Sequence, residues 1–198
     1  MHNFSYKLLT RLAIKAEGGL HPKHRLINYH QFFIENIKKK DKVLDIGCGN
    51  GILTFDLSKK AKKVVGIDIQ AEKIKEAKKK FNCDNIIYIV GDATIYSFGE
   101  RFDAIILSNV LEHIKNRVKF LTKVKKLAPK ILIRVPMLNR DWLTLYKREL
   151  QIEWRLDPTH STEYTLESFK KELNQADLNL ENYSIQYGEI WAIVKSES

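Results

Sequence analysis

The chain has 198 residues, 44% of them hydrophobic, which is enough to bury the core of a single soluble α/β domain. Two cysteines give no disulfide framework or cysteine metal site, and no apolar run reaches the roughly 18 residues of a membrane span. The N-terminus lacks the pattern of a signal peptide, so we expect a cytoplasmic protein.

The formal net charge of +10 at pH 7 raises the question of a nucleic-acid partner. The lysines fall in short groups on predicted helix faces or just before strands, spread around the domain and without interleaved aromatic residues. This distribution is typical of solvated helix faces. We therefore expect no nucleic-acid partner, although the positive field favours an anionic small substrate.

Two helices are predicted ahead of the first strand, within an N-terminal helical cap of residues 1–40. The first runs from Phe4 to Ala16, and the second begins at Pro22, a residue favoured in the first turn, and reaches about Ile37. Three histidines lie in or near the second helix: His21, His24 and His30. No carboxylate or cysteine joins them at a spacing typical of metal ligands, so we predict no metal.

Residues 43–51, Val-Leu-Asp-Ile-Gly-Cys-Gly-Asn-Gly, place three glycines at alternate positions directly behind an apolar strand. The apolar residues predict a buried parallel strand with Asp45 near its carboxyl end. Gly47, Gly49 and Gly51 carry no side chain, so a ligand can approach the main-chain amides of this glycine loop, residues 47–51. The spacing is neither G-x-G-x-x-G nor that of a P-loop. We interpret it as a loop that binds a nucleotide cofactor.

Three more apolar runs predict the next strands: Val64–Ile67, Ile86–Val90 and Phe102–Leu107. The first ends at Asp68, where a β-α-β unit has an acidic residue that can accept two ribose hydroxyls. The second closes on Gly91-Asp92-Ala93, and the third leads into residues 108–113, Ser-Asn-Val-Leu-Glu-His. Polar residues thus follow each strand at its carboxyl end.

The C-terminal third predicts a helix, a fifth strand over Ile131–Val135, and a second helix capped by Thr165. The first helix has an apolar stripe: Val118, Leu121, Val124 and Leu127. Two short strands follow, Glu181–Tyr187 and Ile190–Val194, and the tight turn at Gly188 requires them to be antiparallel.

The fifth strand is followed by an insertion, residues 136–164, where α/β connections usually have about 2 to 6 residues. It is rich in charged and aromatic side chains, and we expect it at the carboxyl ends of the strands, where open α/β sheets bind ligands. We interpret it as a substrate lid. Alternatively, residues 140–150 form an amphipathic helix that caps the sheet edge or makes a dimer contact.

The pattern Asp-x-Gly-x-Gly-x-Gly, followed in order by Asp68, Asp92-Ala93 and the 108–113 segment, resembles class I S-adenosylmethionine-dependent methyltransferases. The resemblance runs from about Val43 to the C-terminus. It implies an α/β fold with a doubly wound, seven-stranded, mostly parallel sheet and an antiparallel last strand. Residues 41–135 would form the cofactor-binding core and residues 165–198 a C-terminal helix and hairpin, all within a single domain, residues 1–198.

The resemblance implies S-adenosylmethionine as cofactor and S-adenosylhomocysteine as product. Asp92 would accept the adenine amino group, the amide of Ala93 would face the ring, and residues 108–113 would border the methyl group. The cofactor-binding residues expected on this basis are Asp45, Gly47, Cys48, Gly49, Asp68, Ile69, Asp92, Ala93, Ser108, Asn109 and His113. Taken singly, Asp45 and Asp68 could be turn formers, Cys48 a small buried filler, and His113 a helix-start residue bonded to the backbone.

For a hydroxyl or ammonium acceptor the enzyme must align the nucleophile, exclude water and remove a proton. His160 and His113 are the candidate bases, with Glu163 or Tyr164 as orienting partner, and the sequence does not decide between them. The candidate catalytic residues are thus His160, His113 and Tyr164. In related methyltransferases an N-terminal element often lies over the cofactor, so the candidates to line the mouth of the site are His24, Arg25, Tyr29 and His30. The expected substrate-binding residues are His24, Tyr29, Arg140, Trp142, Arg148 and His160.

The sequence therefore predicts a methyltransferase that acts on a small polar or anionic molecule, as a monomer or homodimer. Ser108-Asn109-Val110-Leu111 stands where enzymes that methylate base amines or glutamine amides have N-P-P-Y, which argues against that class. Two alternatives stay open: an RNA or protein methyltransferase that uses the basic surface, and a cofactor-binding protein without turnover. Aminopropyl transfer is disfavoured because no acidic cluster is present to hold a polyamine.

Overall fold

The computed structural model describes residues 2–18 and 22–196, with side chains for residues 8–18, 22 and 25–196. Seven strands form one mixed sheet: β1 (Lys42–Ile46), β2 (Lys63–Asp68), β3 (Ile86–Val90), β4 (Ala104–Ser108), β5 (Lys130–Pro136), β6 (Leu178–Gln186) and β7 (Glu189–Ser196). Their order is β3-β2-β1-β4-β5-β7-β6. The first five run parallel, whereas β7 is antiparallel to both β5 and β6. The predicted fold class is confirmed.

Eight helices accompany the sheet in the described part of the chain: α1 (His2–Ala16), α2 (Lys23–Ile27), α3 (Tyr29–Glu35), α4 (Ile52–Ser58), α5 (Ala71–Lys80), α6 (Arg117–Val124), α7 (Trp142–Glu149) and α8 (Leu166–Gln175). A 3₁₀ turn, Leu111–His113, follows β4. None of the described helices is long and apolar enough to cross a membrane.

Alternate residues of the strands bury opposite faces of the sheet, because successive side chains of a strand point to opposite sides. Leu44 and Ile46 of β1 join the cluster that contains Phe120 of α6 and Phe169 of α8. Val43 joins the second cluster, with residues of α3 and α4. Helices therefore cover both faces, which leaves the carboxyl ends of the parallel strands as the edge where polar residues gather.

The predicted second N-terminal helix is wrong as one continuous element. Asn28 has a φ of 49° and a ψ of 37°, a left-handed conformation that ends α2 and starts α3. Asparagine is one of the few side chains that tolerate this conformation. The break redirects the chain so that Tyr29, His30 and Phe33 of α3 become buried.

The turn between β6 and β7 fixes the start of the insertion. Tyr187 and Gly188 both have positive φ, 52° and 72°, as in the two-residue turns that suit the twist of a hairpin. Gly188 accepts a hydrogen bond from the amide of Met137, and a Cβ at Gly188 would stand 2.5 Å from Cβ of Arg140. The close approach leaves no room for a side chain, so the hairpin turn and the insertion pack together.

Thr165 caps α8 as predicted: its hydroxyl oxygen accepts a hydrogen bond from the amide of Ser168, and Oγ of Ser168 accepts one from the amide of Thr165. We expect Thr165→Ala to lower the free energy of unfolding by about 1 kcal/mol, because the amide of Ser168 loses the hydroxyl oxygen that accepts its hydrogen bond. Urea denaturation measures the change. Thr165→Ser keeps the oxygen and should stay near the wild type; equal losses in both variants would contradict the capping role.

Candidate functional site at the carboxyl ends of the parallel strands

The glycine loop bends back over the end of β2. The amides of Gly47 and Cys48 donate to the carbonyl oxygen of Ile67 at 2.8 and 3.1 Å, and the amide of Gly49 donates to Oδ2 of Asp68 at 2.9 Å. A Cβ at Gly47 would stand 2.7 Å from the side chain of Val110, so no larger residue fits this position. The loop is thus fixed by β2 and by the segment that follows β4.

Asp68 lies half-buried at the tip of β2, where the sequence predicted a ribose-binding carboxylate. Its Oδ1 accepts a hydrogen bond from the amide of Gln70 at 2.8 Å, while its Oδ2 faces the glycine loop. Ile69 beside it is 67% exposed and forms part of the rim. Cys48 instead packs inward against Ile74, Ala77 and Tyr88, as a buried filler does.

Asp45 is buried beneath the glycine loop and accepts a hydrogen bond from the hydroxyl of Thr54 at 2.6 Å. Burial raises the pKa of Asp45 to about 7; the Thr54 hydrogen bond opposes the rise and the nearby Asp68 charge adds to it. A cavity above Asp45 is also lined by Tyr29 and His30 of α3 and by Ser108. The N-terminal cap therefore reaches the cofactor loop.

A buried arginine that the sequence analysis missed organises the other side of this cavity. The Arg134 guanidinium donates two 2.6 Å hydrogen bonds to the carboxylate of Glu189, and it lies 3.9 Å from the ring centre of Tyr29. It also donates to Oγ of Ser108 at 3.4 Å. Burial is the main reason that the pKa of Tyr29 is raised to about 12. Arg134 thus joins α3, β4 and β7 at one point.

The predicted adenine-binding segment follows β3 and is held by a lysine. Asp92 accepts hydrogen bonds from the amide and hydroxyl of Thr94, which shape the turn. The ammonium of Lys123 donates to the carbonyl oxygens of Ala93, Thr94 and Tyr96 at 3.1, 3.0 and 2.7 Å. The sequence analysis placed Lys123 among solvated helix-face lysines; the structure shows that it fixes the loop that carries Asp92.

The segment after β4 brings Glu112 and His113 to the edge of the sheet. Asn109 has a φ of 57°, and its backbone amide donates a hydrogen bond to the carbonyl oxygen of Arg134. This conformation directs the chain from β4 into the Leu111–His113 turn. Glu112 is fully buried, and neither carboxylate oxygen has a hydrogen-bond partner among the described residues. Burial raises the pKa of Glu112 to about 8.

The insertion packs on this turn and brings the two candidate bases together. The amides of Ser161 and Thr162 donate to the carbonyl oxygen of Glu112 at 2.6 and 3.3 Å. The rings of His113 and His160 meet edge to face, with their centres 4.8 Å apart. Burial, together with the neighbouring His160, lowers the pKa of His113.

Each imidazole uses one nitrogen within the insertion. Nδ1 of His160 lies 2.9 Å from Oε1 of Glu163, and Nδ1 of His113 lies 3.0 Å from the hydroxyl oxygen of Thr159. Burial opposes ionisation of Glu163, but hydrogen bonds from His160 and from the amide of Leu156 outweigh it and lower the pKa of Glu163. Glu163 is thus an orienting carboxylate for His160.

Two predicted site residues have other roles in the structure. The guanidinium of Arg140 is largely buried and donates to Glu163 and to the carbonyl oxygens of Met137 and Trp154, so it braces the insertion internally. Tyr164 is only 1% exposed, and its hydroxyl donates to Oε1 of Glu172 at 2.6 Å, which leaves it no path to a substrate. Both side chains thus have partners within the protein, and their predicted substrate and catalytic roles remain predictions.

The remaining predicted substrate residues do not converge on the two histidines. Trp142 is 75% exposed on α7, and the guanidinium of Arg148 lies 5.7 Å from the ring centre of Trp154. The side chain of His24 lies outside the described residues, as does the whole of His21. Tyr29 and His30 are the N-terminal candidates that the described side chains place at the cavity, whereas Arg25 pairs with Glu17.

Comparisons with known proteins agree with this geometry. Residues 20–183 match the family model described as a methyltransferase domain. The chain is 32% identical over 126 residues to the ubiquinone biosynthesis O-methyltransferase of Bradyrhizobium diazoefficiens, covering 60% of this chain and 50% of that protein. It is 34% identical over 95 residues to (S)-coclaurine N-methyltransferase of Thalictrum flavum, covering 46% and 26%. The chain thus spans half or less of the length of these relatives.

Solved structures share the architecture. A S-adenosylmethionine-dependent methyltransferase from Clostridium acetobutylicum superposes with a TM-score of 0.70 at 17% identity, covering 98% of this chain and 100% of that chain. Magnesium protoporphyrin IX methyltransferase from Synechocystis, solved with bound S-adenosylhomocysteine, gives 0.69 at 16% identity over 88% and 83%. At these identities the likeness establishes the fold.

The raised pKa of Asp45 predicts a pH-dependent stability. Asp45 in the folded chain retains a proton that it releases at pH ~4 in the unfolded chain. The free energy of unfolding therefore falls as the pH rises from ~4 to ~7, and it is constant above pH ~7. Asp45→Asn removes this contribution while its amide oxygen can still accept from Thr54. Between pH 5 and pH 8 we expect the free energy of unfolding of the variant to rise relative to that of the wild type by at most about 3 kcal/mol, as measured by urea denaturation. Parallel profiles of the two proteins would contradict the assignment.

Proposed function

The chain belongs to the methyltransferase-domain family, and we propose that it transfers the methyl group of S-adenosylmethionine to a small polar or anionic acceptor. One observation carries the proposal. Each of the first four strands ends at a predicted site element: β1 at the glycine loop, β2 at Asp68, β3 just before Asp92 and β4 just before the Leu111–His113 turn. Because these strands are parallel neighbours in one sheet, the four elements lie at the same edge. That edge is where open α/β sheets bind ligands.

The residues of the glycine loop fit a cofactor of this kind. A Cβ at Gly49 would meet no described atom within 4 Å, so the main chain is open to a ligand there. Asp68 is placed to accept the ribose hydroxyls, and Asp92, on the loop fixed by Lys123, to accept the adenine amino group. The bound sulfonium would supply an activated methyl group, so no covalent protein nucleophile is needed. The chain has to orient the acceptor, exclude water and receive a proton.

The acceptor side is assigned to the pair His113 and His160. His113 lies on the segment proposed to border the methyl group, and His160 lies on the insertion that covers this segment. Nδ1 of each ring is hydrogen-bonded, to Thr159 and to Glu163 respectively. Their Nε2 atoms are therefore the nitrogens that can serve the acceptor. Ser161 and Thr162 join the insertion to Glu112 by backbone hydrogen bonds, so the insertion closes over the turn as a lid. A lid this close to the chemistry favours a small acceptor over a macromolecule.

The relatives support the same class of acceptor. One is named as an O-methyltransferase of ubiquinone biosynthesis and another as an N-methyltransferase of coclaurine, so the matched region is found with both oxygen and nitrogen acceptors. Because the relatives include both kinds, they do not decide whether the substrate of this chain accepts the methyl group on oxygen or on nitrogen.

Asp68→Ala should weaken binding of S-adenosylhomocysteine by at least about tenfold, since it removes charge-assisted hydrogen bonds worth roughly 1.5–3 kcal/mol and releases the amide of Gly49. Calorimetric titration of the purified chain measures the change. Asp84→Ala is the matched control, because Asp84 is an exposed carboxylate just before β3, at the opposite end of the strands. Similar affinities in both variants would rule out the site.

His160→Ala should leave S-adenosylhomocysteine affinity within about twofold and lower methyl transfer by about 10²-fold or more, as expected for loss of a group that handles the acceptor proton. Transfer is followed with labelled S-adenosylmethionine and fractionated metabolite extract until an acceptor is found. Full transfer by the variant would remove His160 from the mechanism, whereas a parallel loss of cofactor binding would indicate a structural role.

A further inference from the structure

Glu112, His113 and His160 form a compact group of metal-ligand types. One carboxylate oxygen of Glu112 and one ring nitrogen of each histidine all lie within 4.8 Å of one another. Glu112 is 0% exposed, and in the described part of the chain its carboxylate has no hydrogen-bond partner. A buried carboxylate is costly unless it is paired, hydrogen-bonded or bound to a metal. The group therefore has an unsatisfied acid directed at two imidazoles.

The hydrogen bonds of the two histidines leave their Nε2 atoms free to bind a ligand. Thr159 has one hydroxyl hydrogen, which is donated to Oδ1 of Asp157 at 2.7 Å, so Nδ1–H of His113 must be the donor to the Thr159 oxygen. The carboxylate of Glu163 accepts from Nδ1–H of His160 at 2.9 Å. Histidines that bind metals have this arrangement, in which an outer carboxylate or oxygen holds the other ring nitrogen.

Backbone contacts hold the three ligands together without the metal. The amides of Ser161 and Thr162 donate to the carbonyl oxygen of Glu112, which connects the segment that carries His160 to the turn that carries Glu112 and His113. His113 is exposed, so an ion has a route from solvent. Preorganised ligands, satisfied outer partners and access are the features expected of a metal site.

We propose that Glu112, His113 and His160 bind a divalent transition metal, with Zn²⁺ as the expected ion, through the Glu112 carboxylate and the two Nε2 atoms. Two imidazoles and one carboxylate suit Zn²⁺ and other late first-row ions, whereas Mg²⁺ prefers oxygen ligands. Three protein ligands leave a coordination position open. The metal ties the insertion to the end of β4. With both Nε2 atoms bound to the ion, neither imidazole can receive the acceptor proton, so the proposed role of His160 as a base applies to the metal-free chain. In the metal-bound chain the acceptor would meet the open coordination position instead. Metal binding itself does not rest on the proposed methyl transfer.

The test is calorimetric titration of the metal-free full chain with Zn²⁺, and with Co²⁺ followed by visible absorption. The wild type should bind one equivalent of each, with Co²⁺ showing d–d bands, and should not bind Mg²⁺ at the same concentrations. Glu112→Gln keeps the shape and removes the anionic ligand, so Zn²⁺ affinity should fall at least about 100-fold and the Co²⁺ bands should disappear. Unchanged Zn²⁺ affinity in Glu112→Gln would overturn the proposal.

A second pair of variants tests the outer partners. Thr159→Val removes the acceptor of Nδ1–H of His113 and should lower Zn²⁺ affinity by about 10- to 100-fold. Thr162→Val is the matched control in the same segment, since among the described residues its hydroxyl bonds only to the carbonyl oxygen of Glu163, at 3.4 Å. This variant should bind Zn²⁺ as the wild type does. Equal affinities of these two variants would contradict the assignment, and they carry the test if Glu112→Gln does not fold.

His24→Gln distinguishes this site from one formed by the N-terminal histidines. Zn²⁺ binding that persists in His24→Gln supports the proposed site, and binding that is lost there but kept in Glu112→Gln overturns it. Titration of Glu112→Gln with S-adenosylhomocysteine separates the two proposals of function and metal. Retained cofactor binding with lost Zn²⁺ binding supports the metal site alone, whereas a wild type that binds S-adenosylhomocysteine but no Zn²⁺ refutes the metal site only.

Discussion

The hydrogen bonds between the glycine loop and the end of β2 are the constraint on which the rest of the site depends. Ile67 and Asp68 accept three consecutive loop amides, from Gly47, Cys48 and Gly49, so the loop cannot move without the strand. Because β2 lies between β1 and β3 in parallel register, the same strand also sets the height of the loop that carries Asp92. One short set of hydrogen bonds thus aligns Asp68 with Asp92, the residues proposed to contact the ribose and the adenine.

The cavity above Asp45 depends on a different kind of interaction, the buried ion pair of Arg134 and Glu189. A buried ion pair adds little net stability, but removal of one partner leaves an uncompensated charge, so the pair fixes which elements must come together. Here those elements are β5 and β7, with Tyr29 of α3 packed on the guanidinium. The last antiparallel strand therefore does more than extend the sheet. Its Glu189 carboxylate pairs with the Arg134 guanidinium, which contacts two residues that line the cavity, Tyr29 and Ser108.

Local signals were sufficient to predict the sheet and the glycine loop, since β-branched runs, alternating glycines and a threonine cap act over a few residues. They did not predict the break at Asn28, because asparagine only tolerates the left-handed conformation and does not require it. Arg134 and Lys123 were missed because their partners are distant in sequence, 55 residues away for Glu189 and about 30 for the loop after β3. Arg140 and Tyr164 have partners that the sequence analysis did not foresee for a related reason: a polar residue in an insertion can form its hydrogen bonds within the protein itself.

The insertion packs on the turn after β4, and its contacts explain why the proposed acceptor site needs an element that the basic α/β unit lacks. The segment around His160 is attached to the core through the backbone of Glu112, while Glu163 orients His160 and is itself held by Arg140. An imidazole fixed at one nitrogen has a defined tautomer and direction at the other. The insertion thus determines the chemistry of His160, and the turn after β4 determines that of His113. In the proposed function, the chemical character of the acceptor site therefore depends on whether the insertion is packed on the turn. Closure of the proposed lid would then be a condition for the methyl acceptor to meet its partners, and not only a means of excluding water.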